Sequence, residues 1–566
     1  MRSLSRALLG VIAVLLAGPA TASAAQQQAY AAGLNYATPA IVVNQGDTLN
    51  FNNIDVATHT LTSSTPGLFD SGVVSAGTST PVAGVDKLAP GTYQFFCSFH
   101  PWMHGAIQVV APGTVPSPPS PPPLPNPNNP PNPVDLLPHA APAALTGGDW
   151  PFYGKDLANS RDGASAGPAV TQAPFLKPVW SFKSTQGDFT GTPVESGGTV
   201  VGLSGNGSVY ALDASTGKLL WQRDLGQPAN ATPAIADGTV FVPLAVVNGP
   251  EVLALSLADG STRWTAVTDT QTGADSYGSP VVWNGKVYIG VSGQNGDPAL
   301  PLRGAVVALD ELSGAKTWET FTVPPGFNGG AVWSTPAIDA ATGHLFVGTG
   351  NAYTAPAAST TDAVMALDAG TGAVLASWQA TAGDVFSPNS LTGPDADFGA
   401  SPNLLRTTGG RALVGEGQKS GAYRALDRST LAPVWSQTVG PGSAVGGVIG
   451  STAYDGSQVY GPVTPAGEVW ALSRDGAVTW ASADGGPLHY SPTSVANGVV
   501  YTPDQNGFLT LRQAATGAVL DKVPLGAMTY GGVSIAGGYV FVAVGTQSSS
   551  GYVVAYRADP PAAGGG

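Results

Sequence analysis

Residues 308–318 read ALDELSGAKTW, and variants of this stretch recur along most of the chain. An apolar run ends in Ala-Leu-Asp or a close variant, a turn follows, and a Trp comes about ten residues after the Ala. Further copies begin at Ala211, Ala254, Ala366, Ala425 and Ala471, with weaker ones near Leu511 and Ala555. A strand, a turn and a second strand repeated at this length are typical of the blades of a β-propeller.

A second repeated element is a Ser or Thr, often followed by Pro, that opens an apolar strand. It occurs at Thr192, Thr232, Ser279, Thr335, Ser401, Ser451, Ser491 and Ser534, so both counts give eight. No 3.6-residue period accompanies the repeats, which argues against helical repeats. Val179–Phe182 is a Trp-containing strand ahead of the first full repeat, and the last copy ends near Ala558 without a Trp. We therefore expect this early strand to complete the last of eight blades and close the ring.

The composition points the same way. Charged residues make up 10% of the 566 residues, aromatic residues make up 8%, and there are 76 Gly and 49 Pro. This profile favours a turn-rich, all-β protein over a helical bundle. The formal net charge of −14 argues against a nucleic-acid partner. The single Cys excludes an intramolecular disulfide.

The N-terminus has the pattern of a secretory signal peptide. Arg2 and Arg6 precede an apolar run, and Ala22-Ser23-Ala24 provides a cleavage motif, so we assign residues 1–25 to the signal. The apolar run is short for a bilayer span, although a retained anchor is the alternative. We expect export to the periplasm, the cell surface or the medium, and no transmembrane segment after signal removal.

The remaining sequence divides by composition. Residues 26–111 alternate short apolar runs with turn residues, which predicts a β-sandwich. Residues 112–148 form a Pro-rich linker, with 12 prolines between positions 112 and 133, and such a segment favours an extended polyproline II spacer. Residues 149–560 hold the repeats, and residues 561–566 are expected to be a disordered tail.

Four soft or borderline metal ligands stand in the predicted sandwich: His59, Cys97, His100 and Met103. A thiolate, two imidazoles and a weak thioether are the ligand set of a type 1 (blue) copper site, which transfers single electrons. Zinc is the alternative metal, but a thioether is a poor zinc ligand. The other reading is a buried structural Cys with incidental neighbours.

The spacing Cys97-x2-His100-x2-Met103, with His59-Thr60 upstream after a strand, resembles the small cupredoxins, especially amicyanin and pseudoazurin. The resemblance implies a Greek-key sandwich for residues 26–111. It also implies that His100 reaches the surface as the exit for electrons. A redox partner protein would then dock near His100 and Trp102.

Four motifs stand out in the repeat region: Trp333-Ser334-Thr335-Pro336, residues 347–351 (VGTGN), residues 397–402 (DFGASP) and residues 417–421 (GQKSG). With these motifs the region resembles the quinoprotein alcohol dehydrogenases that use pyrroloquinoline quinone (PQQ), most closely their polyvinyl alcohol dehydrogenase branch. The resemblance implies that Trp333 is the floor on which the quinone stacks. It gives Lys419 the hydrogen bonds to the quinone oxygens, Asn351 a calcium-ligating role, and Asp397 the roles of calcium ligand and general base.

This sequence departs from the family pattern at one expected ligand. Asn295 stands where the family has an acidic calcium ligand, and Asp297 is a candidate replacement. A neutral amide weakens a site for a hard cation. The chain also has neither the family's adjacent Cys pair nor a haem attachment motif, because Cys97 is its only cysteine.

Two functions remain open at this point. The first is an exported PQQ-dependent dehydrogenase that oxidises a small or polymeric alcohol, with copper as electron relay. The second is a blue copper carrier on a propeller that has lost quinone binding and serves as a scaffold. Asn295 favours the scaffold, whereas the set of Trp333, Asn351, Asp397 and Lys419 favours the enzyme.

Overall fold

The chain divides into two compact units, residues 1–124 and 125–566. The computed structural model describes residues 26–32, 35–36, 40–53, 58–75, 77–98, 103–111, 148–184, 189, 191–229, 231–246, 248–293, 302–386, 393–443, 446–464, 467–483, 488–525, 528–545 and 551–558. The predicted signal peptide and tail, and nearly all of the predicted linker, lie outside these ranges. Among the described residues, no helix is long and apolar enough to span a bilayer.

The described part of the first unit consists of two four-stranded sheets around one core. Its strands are β1 (Gln26–Ala32), β2 (Asn35–Tyr36), β3 (Ala40–Asn44), β4 (Thr48–Asn53), β5 (Thr62–Ser63), β6 (Ser79–Pro81), β7 (Gly91–Phe96) and β8 (His104–Val110), with a 3-10 turn at Val85–Lys87. The sheet orders are β2-β1-β4-β6 and β3-β8-β7-β5, and β1–β4 and β3–β8 are parallel pairs. Leu49 and Phe51 from one sheet and Phe95 and Ile107 from the other are buried in the same cluster, which also contains Cys97. Burial of each such side chain contributes about 1.5–3 kcal/mol.

The second unit holds 33 strands in its described residues. They begin with β9 (Leu176–Lys183), β10 (Val194–Ser196), β11 (Thr199–Leu203), β12 (Ser208–Asp213), β13 (Leu219–Asp224), β14 (Ala234–Ala236), β15 (Thr239–Leu244), β16 (Glu251–Ser256), β17 (Thr262–Val267), β18 (Ala274–Asp275), β19 (Val281–Trp283), β20 (Lys286–Gly293), β21 (Ala305–Asp310), β22 (Lys316–Phe321), β23 (Ala337–Asp339), β24 (His344–Gly348), β25 (Ala363–Asp368) and β26 (Val374–Gln379). They continue with β27 (Asn403–Arg406), β28 (Ala412–Gly417), β29 (Ala422–Asp427), β30 (Pro433–Thr438), β31 (Ala453–Tyr454), β32 (Gln458–Val463), β33 (Glu468–Ser473), β34 (Val478–Ala483), β35 (Ser494–Ala496), β36 (Val499–Pro503), β37 (Phe508–Gln513), β38 (Val519–Pro524), β39 (Val533–Ala536), β40 (Tyr539–Val544) and β41 (Tyr552–Ala558). Two 3-10 turns lie at Ala164–Ala166 and Ala173–Phe175.

These strands form eight antiparallel sheets within the described residues, the number counted from the repeats. Seven are consecutive sets, beginning at β10, β14, β18, β23, β27, β31 and β35, and the eighth is β39-β40-β41-β9. Strand β9 pairs with β41 with Ala555 opposite Trp180, so the prediction that the early Trp strand completes the last sheet is confirmed. The all-β propeller fold predicted from the repeats is likewise confirmed.

The repeated Asp closes the turn between the third and fourth strands of a blade. In residues 308–318, Asp310 Oδ1 accepts hydrogen bonds from the backbone N–H groups of Leu312 (3.2 Å) and Ser313 (2.9 Å) and from the Ser313 hydroxyl (2.7 Å). A carboxylate that binds the backbone two and three residues ahead makes the turn without help from the rest of the fold. This local pairing explains why Asp, and sometimes Ser, ends the apolar run.

The repeated Trp joins one blade to the next. The Trp264 indole N–H donates to the carbonyl of Glu311 at 2.9 Å, and its ring lies against Gly314 in the following blade. The same ring-to-glycine contact occurs at Trp180–Gly217, Trp221–Gly260, Trp318–Gly372, Trp435–Gly476 and Trp480–Gly517. A Trp from one sheet therefore packs on a glycine of the next at six of the junctions between sheets.

Gly314→Ala is expected to destabilise the propeller by about 3 kcal/mol. A Cβ there would lie 2.6 Å from Trp264 Cε3, and the φ of 71° also disfavours an L side chain. Gly285→Ala in the same blade is the matched control, because its φ is 73° but nothing lies within 4 Å of the added carbon. The control should cost only about 1 kcal/mol. Chemical denaturation would measure both, and equal losses would contradict the Trp264 contact.

The hydroxyl residues that open the blades form a chain of hydrogen bonds around the centre. Six of the eight take part, and the backbone N–H of one donates to the hydroxyl oxygen of the next: Thr192 to Thr232 (2.8 Å), Thr232 to Ser279 (2.9 Å), Ser279 to Thr335 (3.2 Å), Thr335 to Ser401 (3.0 Å) and Ser401 to Ser451 (2.9 Å). The Gly532 N–H donates to Thr192 Oγ1 at 3.1 Å, which joins the eighth sheet to the first. Each of these positions requires a small side chain whose oxygen can accept a hydrogen bond, and Ser and Thr both provide one.

Residues 150–166 wind around the inner strands of the ring, and we call them the collar. Their backbone hydrogen-bonds to seven of the eight sheets, through Glu195, Ile235, Ile338, Leu404, Tyr454, Val495 and Gly538. Arg161 is fully buried in the collar and donates to the carbonyls of Thr493 (2.7 Å) and Val533 (3.2 Å). The collar, which comes first in the propeller sequence, thus connects these seven sheets by hydrogen bonds.

Candidate functional site

Three of the four predicted copper ligands lie in the core of the first unit. His59, Cys97 and Met103 are each 0% exposed. His59 is paired with Val74 by two backbone hydrogen bonds, whereas Cys97 directly follows β7 and Met103 directly precedes β8. The Cys97 N–H donates to the Met103 carbonyl at 3.1 Å, which closes the loop between these strands.

The sulfur of Cys97 lies 3.6 Å from Nδ1 of His59. It also accepts a hydrogen bond from the Thr60 backbone N–H at 3.4 Å. Within the described residues, no group of three or more His, Cys, Asp or Glu side chains is placed to hold a metal. The fourth predicted ligand, His100, and the predicted docking residue Trp102 lie outside the described residues. A buried thiol, imidazole and thioether in one core are the donors that suit copper.

Trp333 lies at the edge of a central cavity of about 360 Å³ in the propeller. Several hydroxyl residues of the ring line this cavity, together with aromatic side chains: Tyr153, Tyr277, Trp333, Tyr490 and Tyr530. No charged side chain is among the described lining residues. The cavity therefore suits a neutral molecule with hydroxyl groups better than an ion.

Beside Trp333, Lys419 makes two buried ion pairs. Its ammonium lies 2.9 Å from Asp395 Oδ1, 2.8 Å from Asp397 Oδ2 and 5.5 Å from the centroid of the Trp333 ring. Burial acts to lower the pKa of Lys419, but the charges of Asp395 and Asp397 outweigh it and hold the pKa above its usual range. Lys419 is therefore a permanent cation next to an aromatic face.

Asn351 and Asp397 are in direct contact. The Asn351 backbone N–H donates to Asp397 Oδ1 at 2.7 Å, and the Asn351 side-chain amide donates to the carbonyls of Ala352 (2.6 Å) and Phe386. These amide bonds leave the side-chain oxygen of Asn351 as the atom able to bind a cation.

Asp362 adds an unpaired carboxyl to this neighbourhood. It is 0% exposed, neither of its oxygens has a hydrogen-bond partner among the described residues, and its backbone N–H donates to Gly350 beside Asn351. Burial, and then the charge of Asp397, raise the pKa of Asp362 far above its usual range. An orphaned buried carboxyl beside Asn351 and Asp397 fits a bound cation, which takes oxygen ligands. Asn295, which stands at an expected ligand position for this cation, and Asp297, its candidate replacement, lie outside the described residues.

The structure brings together Trp333, Asn351, Asp397 and Lys419, the four residues predicted for the quinone site. Sequence reasoning missed Asp395 and Asp362. The signal for Asp395 was its position two residues before Asp397, whereas no motif marked Asp362. An aromatic face beside an ammonium fits a flat ring with acceptor oxygens, so these residues suit the implied quinone.

Comparisons with known proteins identify relatives of both parts of the chain. The family model described as "Outer membrane protein assembly factor BamB" matches residues 177–393 and 360–560, and the cupredoxin-like domain model matches residues 6–109. The polyvinylalcohol dehydrogenase of a Pseudomonas species is 30% identical over 71% of this chain and 74% of its own length. That of Sphingopyxis sp. is 29% identical over 71% and 73%. The quinohemoprotein alcohol dehydrogenase structure from Comamonas testosteroni has a TM-score of 0.62 at 20% identity, covering 74% of this chain and 82% of that one.

Fold and sequence together define a cupredoxin-like domain joined to a quinoprotein-type propeller. Within that class, the chain belongs to the polyvinylalcohol dehydrogenase family. The structural likeness at 20% identity supports the propeller fold. The predicted resemblance to both families is thereby confirmed.

Proposed function

We propose that the chain is an exported PQQ-dependent alcohol dehydrogenase that passes electrons to a type 1 copper centre in the same chain. The observation that carries the enzymatic half is the buried set of Lys419, Asp395 and Asp397 against Trp333. A propeller used only as a scaffold has no need to bury three charges beside a Trp that lines the central cavity, because buried charges are costly. Membership of the polyvinylalcohol dehydrogenase family supports the same assignment.

Asp397 is the proposed general base. Its carboxylate would take the hydroxyl proton of the alcohol while the carbon loses a hydride, so the substrate loses two electrons and leaves as a carbonyl compound. PQQ, when bound, supplies the two-electron acceptor for that hydride. Lys419 would hold the acceptor oxygens by charge-assisted hydrogen bonds, and Trp333 would hold the ring by stacking.

Calcium is the proposed cation of the site, with Asn351 and Asp397 as ligands. Its role would be to polarise the acceptor carbonyl as a Lewis acid. The uncharged central cavity, lined by tyrosines and hydroxyl groups, is the proposed place for the alcohol, small or polymeric. This lining supports a neutral substrate rather than a carboxylate.

His59, Cys97, His100 and Met103 are the proposed copper ligands. Copper, when bound, supplies a one-electron acceptor, so the two electrons of each turnover would leave in two steps. The Pro-rich tether would keep this acceptor at a high effective concentration. Export is proposed from the N-terminal pattern, and a redox partner would dock near His100 and Trp102.

Titration of the apo-protein with PQQ and calcium tests the enzymatic half without a substrate. Saturable quenching of tryptophan fluorescence is expected, with at least tenfold weaker binding for Trp333→Ala and Lys419→Met. Trp221→Phe, in an outer strand of another blade, is the control and should bind like the wild type. Absence of binding at high calcium would favour the alternative, a copper carrier on a scaffold propeller, as the amide at Asn295 suggests.

A further inference from the structure

Thr60, which follows the predicted ligand His59, is hydrogen-bonded at each of its polar atoms. Its backbone N–H donates to Cys97 Sγ at 3.4 Å. Its hydroxyl oxygen accepts from the Ser98 N–H at 2.9 Å. Its carbonyl accepts from the Tyr36 hydroxyl at 2.5 Å. Thr60 thereby links the Cys97 sulfur to Ser98 and Tyr36.

Tyr36 is a rigid donor to this residue. Its side chain is 5% exposed, and its ring packs edge-on against Phe95 at 4.7 Å and tilted against Phe51 at 5.9 Å. Burial raises the pKa of Tyr36 above its usual range, and the charge of Cys97 raises it further. The hydroxyl therefore stays protonated at neutral pH and donates to the Thr60 carbonyl.

The N–H and the carbonyl of Thr60 lie on either side of one Cα. Fixing the carbonyl therefore restricts the rotations that point the N–H at the sulfur. A hydrogen bond to a copper-bound thiolate withdraws electron density from it, which disfavours the oxidised metal and raises the reduction potential. At 3.4 Å this bond depends strongly on its alignment.

We propose that Tyr36 is a positioning residue of the copper centre, whose hydroxyl holds the Thr60 amide on Cys97 and so sets the reduction potential. The proposal rests on the copper half of the proposed function. Nothing in the sequence marks it, because Tyr36 stands 24 positions before Thr60 and outside the ligand loop.

The test uses the full-length chain with Tyr36→Phe, which keeps the ring and removes the hydroxyl. Voltammetry of the copper-loaded variant should give a lower reduction potential, and the sulfur-to-copper absorption band should shift. Hydrogen exchange of the apo-protein, followed on the peptide containing Thr60, should become faster. Tyr93→Phe is the matched control. Tyr93 packs on the same core, and its hydroxyl donates to the Ala89 carbonyl at 2.8 Å rather than to Thr60.

An unchanged potential in Tyr36→Phe, or the same change in Tyr93→Phe, would overturn the proposal. If Tyr36→Phe does not load copper, the exchange experiment decides, since unaltered protection of the Thr60 amide contradicts the positioning role. A wild-type protein without a blue band would instead defeat the proposed copper function. The two failures are therefore distinguishable.

Discussion

Asp397→Asn is expected to lower kcat for quinone-dependent alcohol oxidation by about a thousandfold, because an amide cannot take the hydroxyl proton in the transition state. The substitution keeps an oxygen for the Asn351 N–H, which donates to Asp397 at 2.7 Å, and a polar neighbour for Lys419. An amide is a weaker ligand for a hard cation, so loading should need more calcium. Once the variant is saturated with quinone and calcium, the loss should fall on kcat rather than on the KM for the alcohol. Steady-state kinetics with an artificial electron acceptor, after loading with PQQ and calcium, would measure both.

Two further substitutions decide how this loss is interpreted. Glu416→Gln is the control, because Glu416 is buried, its carboxyl oxygens have no hydrogen-bond partner among the described residues, and the amide keeps the size of the side chain. Its kcat should match the wild type. Asp395→Asn tests the neighbouring carboxylate, which binds Lys419 at 2.9 Å. If Asp395→Asn loses a thousandfold and Asp397→Asn does not, the base is Asp395.

The propeller could be predicted from sequence because each repeated residue meets a local or nearest-neighbour requirement. Asp310 closes its own turn, and Trp264 packs on Gly314 of the next blade, so the same residue types return in most repeats. The ring-forming hydroxyls, such as Thr335 and Ser401, return for the same reason. In an array of repeated structural units, each unit has the same contacts, so the residues that make them recur at a regular spacing in the sequence.

Interactions that occur once in the propeller produce no repeated residue and could not be predicted in this way. Lys419 and Asp397 were predicted from motifs that match a family. Asp395 lies in the site only because it forms an ion pair with Lys419, which is 24 positions later in the chain. No motif surrounds Asp362 in the sequence, and only the structure shows that its carboxyl is buried away from water. The collar was also missed, because its contacts are backbone hydrogen bonds and impose little on side-chain identity.

The sandwich unit shows the same division. Cys97 and Met103 could be singled out as candidate copper ligands because a metal requires particular donor atoms at close range. The support of those ligands could not, since Tyr36 reaches Thr60 through a fold in which distant strands meet. Sequence thus predicts chemistry where the chemistry fixes the residue type, and misses support that many residues could provide.

Cys97→Ser is expected to abolish the intense blue absorption of the copper-loaded protein and its fast one-electron transfer. The band arises from charge transfer between a thiolate and copper, and a serine hydroxyl cannot provide it. Cys97 is the only cysteine, so no other thiol can substitute. Visible absorption and electron paramagnetic resonance of the full-length chain would measure the loss, and quinone-dependent oxidation with an artificial acceptor should persist because it needs no copper.

Met103→Leu is the matched comparison for that experiment. Met103 is 0% exposed like Cys97, and leucine fills a similar volume, so the fold should tolerate the change. The thiolate remains, so the blue band should persist, whereas loss of the weak thioether ligand should shift the reduction potential. A blue band retained in Cys97→Ser, or lost equally in both variants, would contradict a Cys97 thiolate as the copper ligand. Retention in Met103→Leu together with loss in Cys97→Ser would identify the Cys97 thiolate as the ligand that produces the blue band, because only the second variant removes the sulfur donor of the charge transfer.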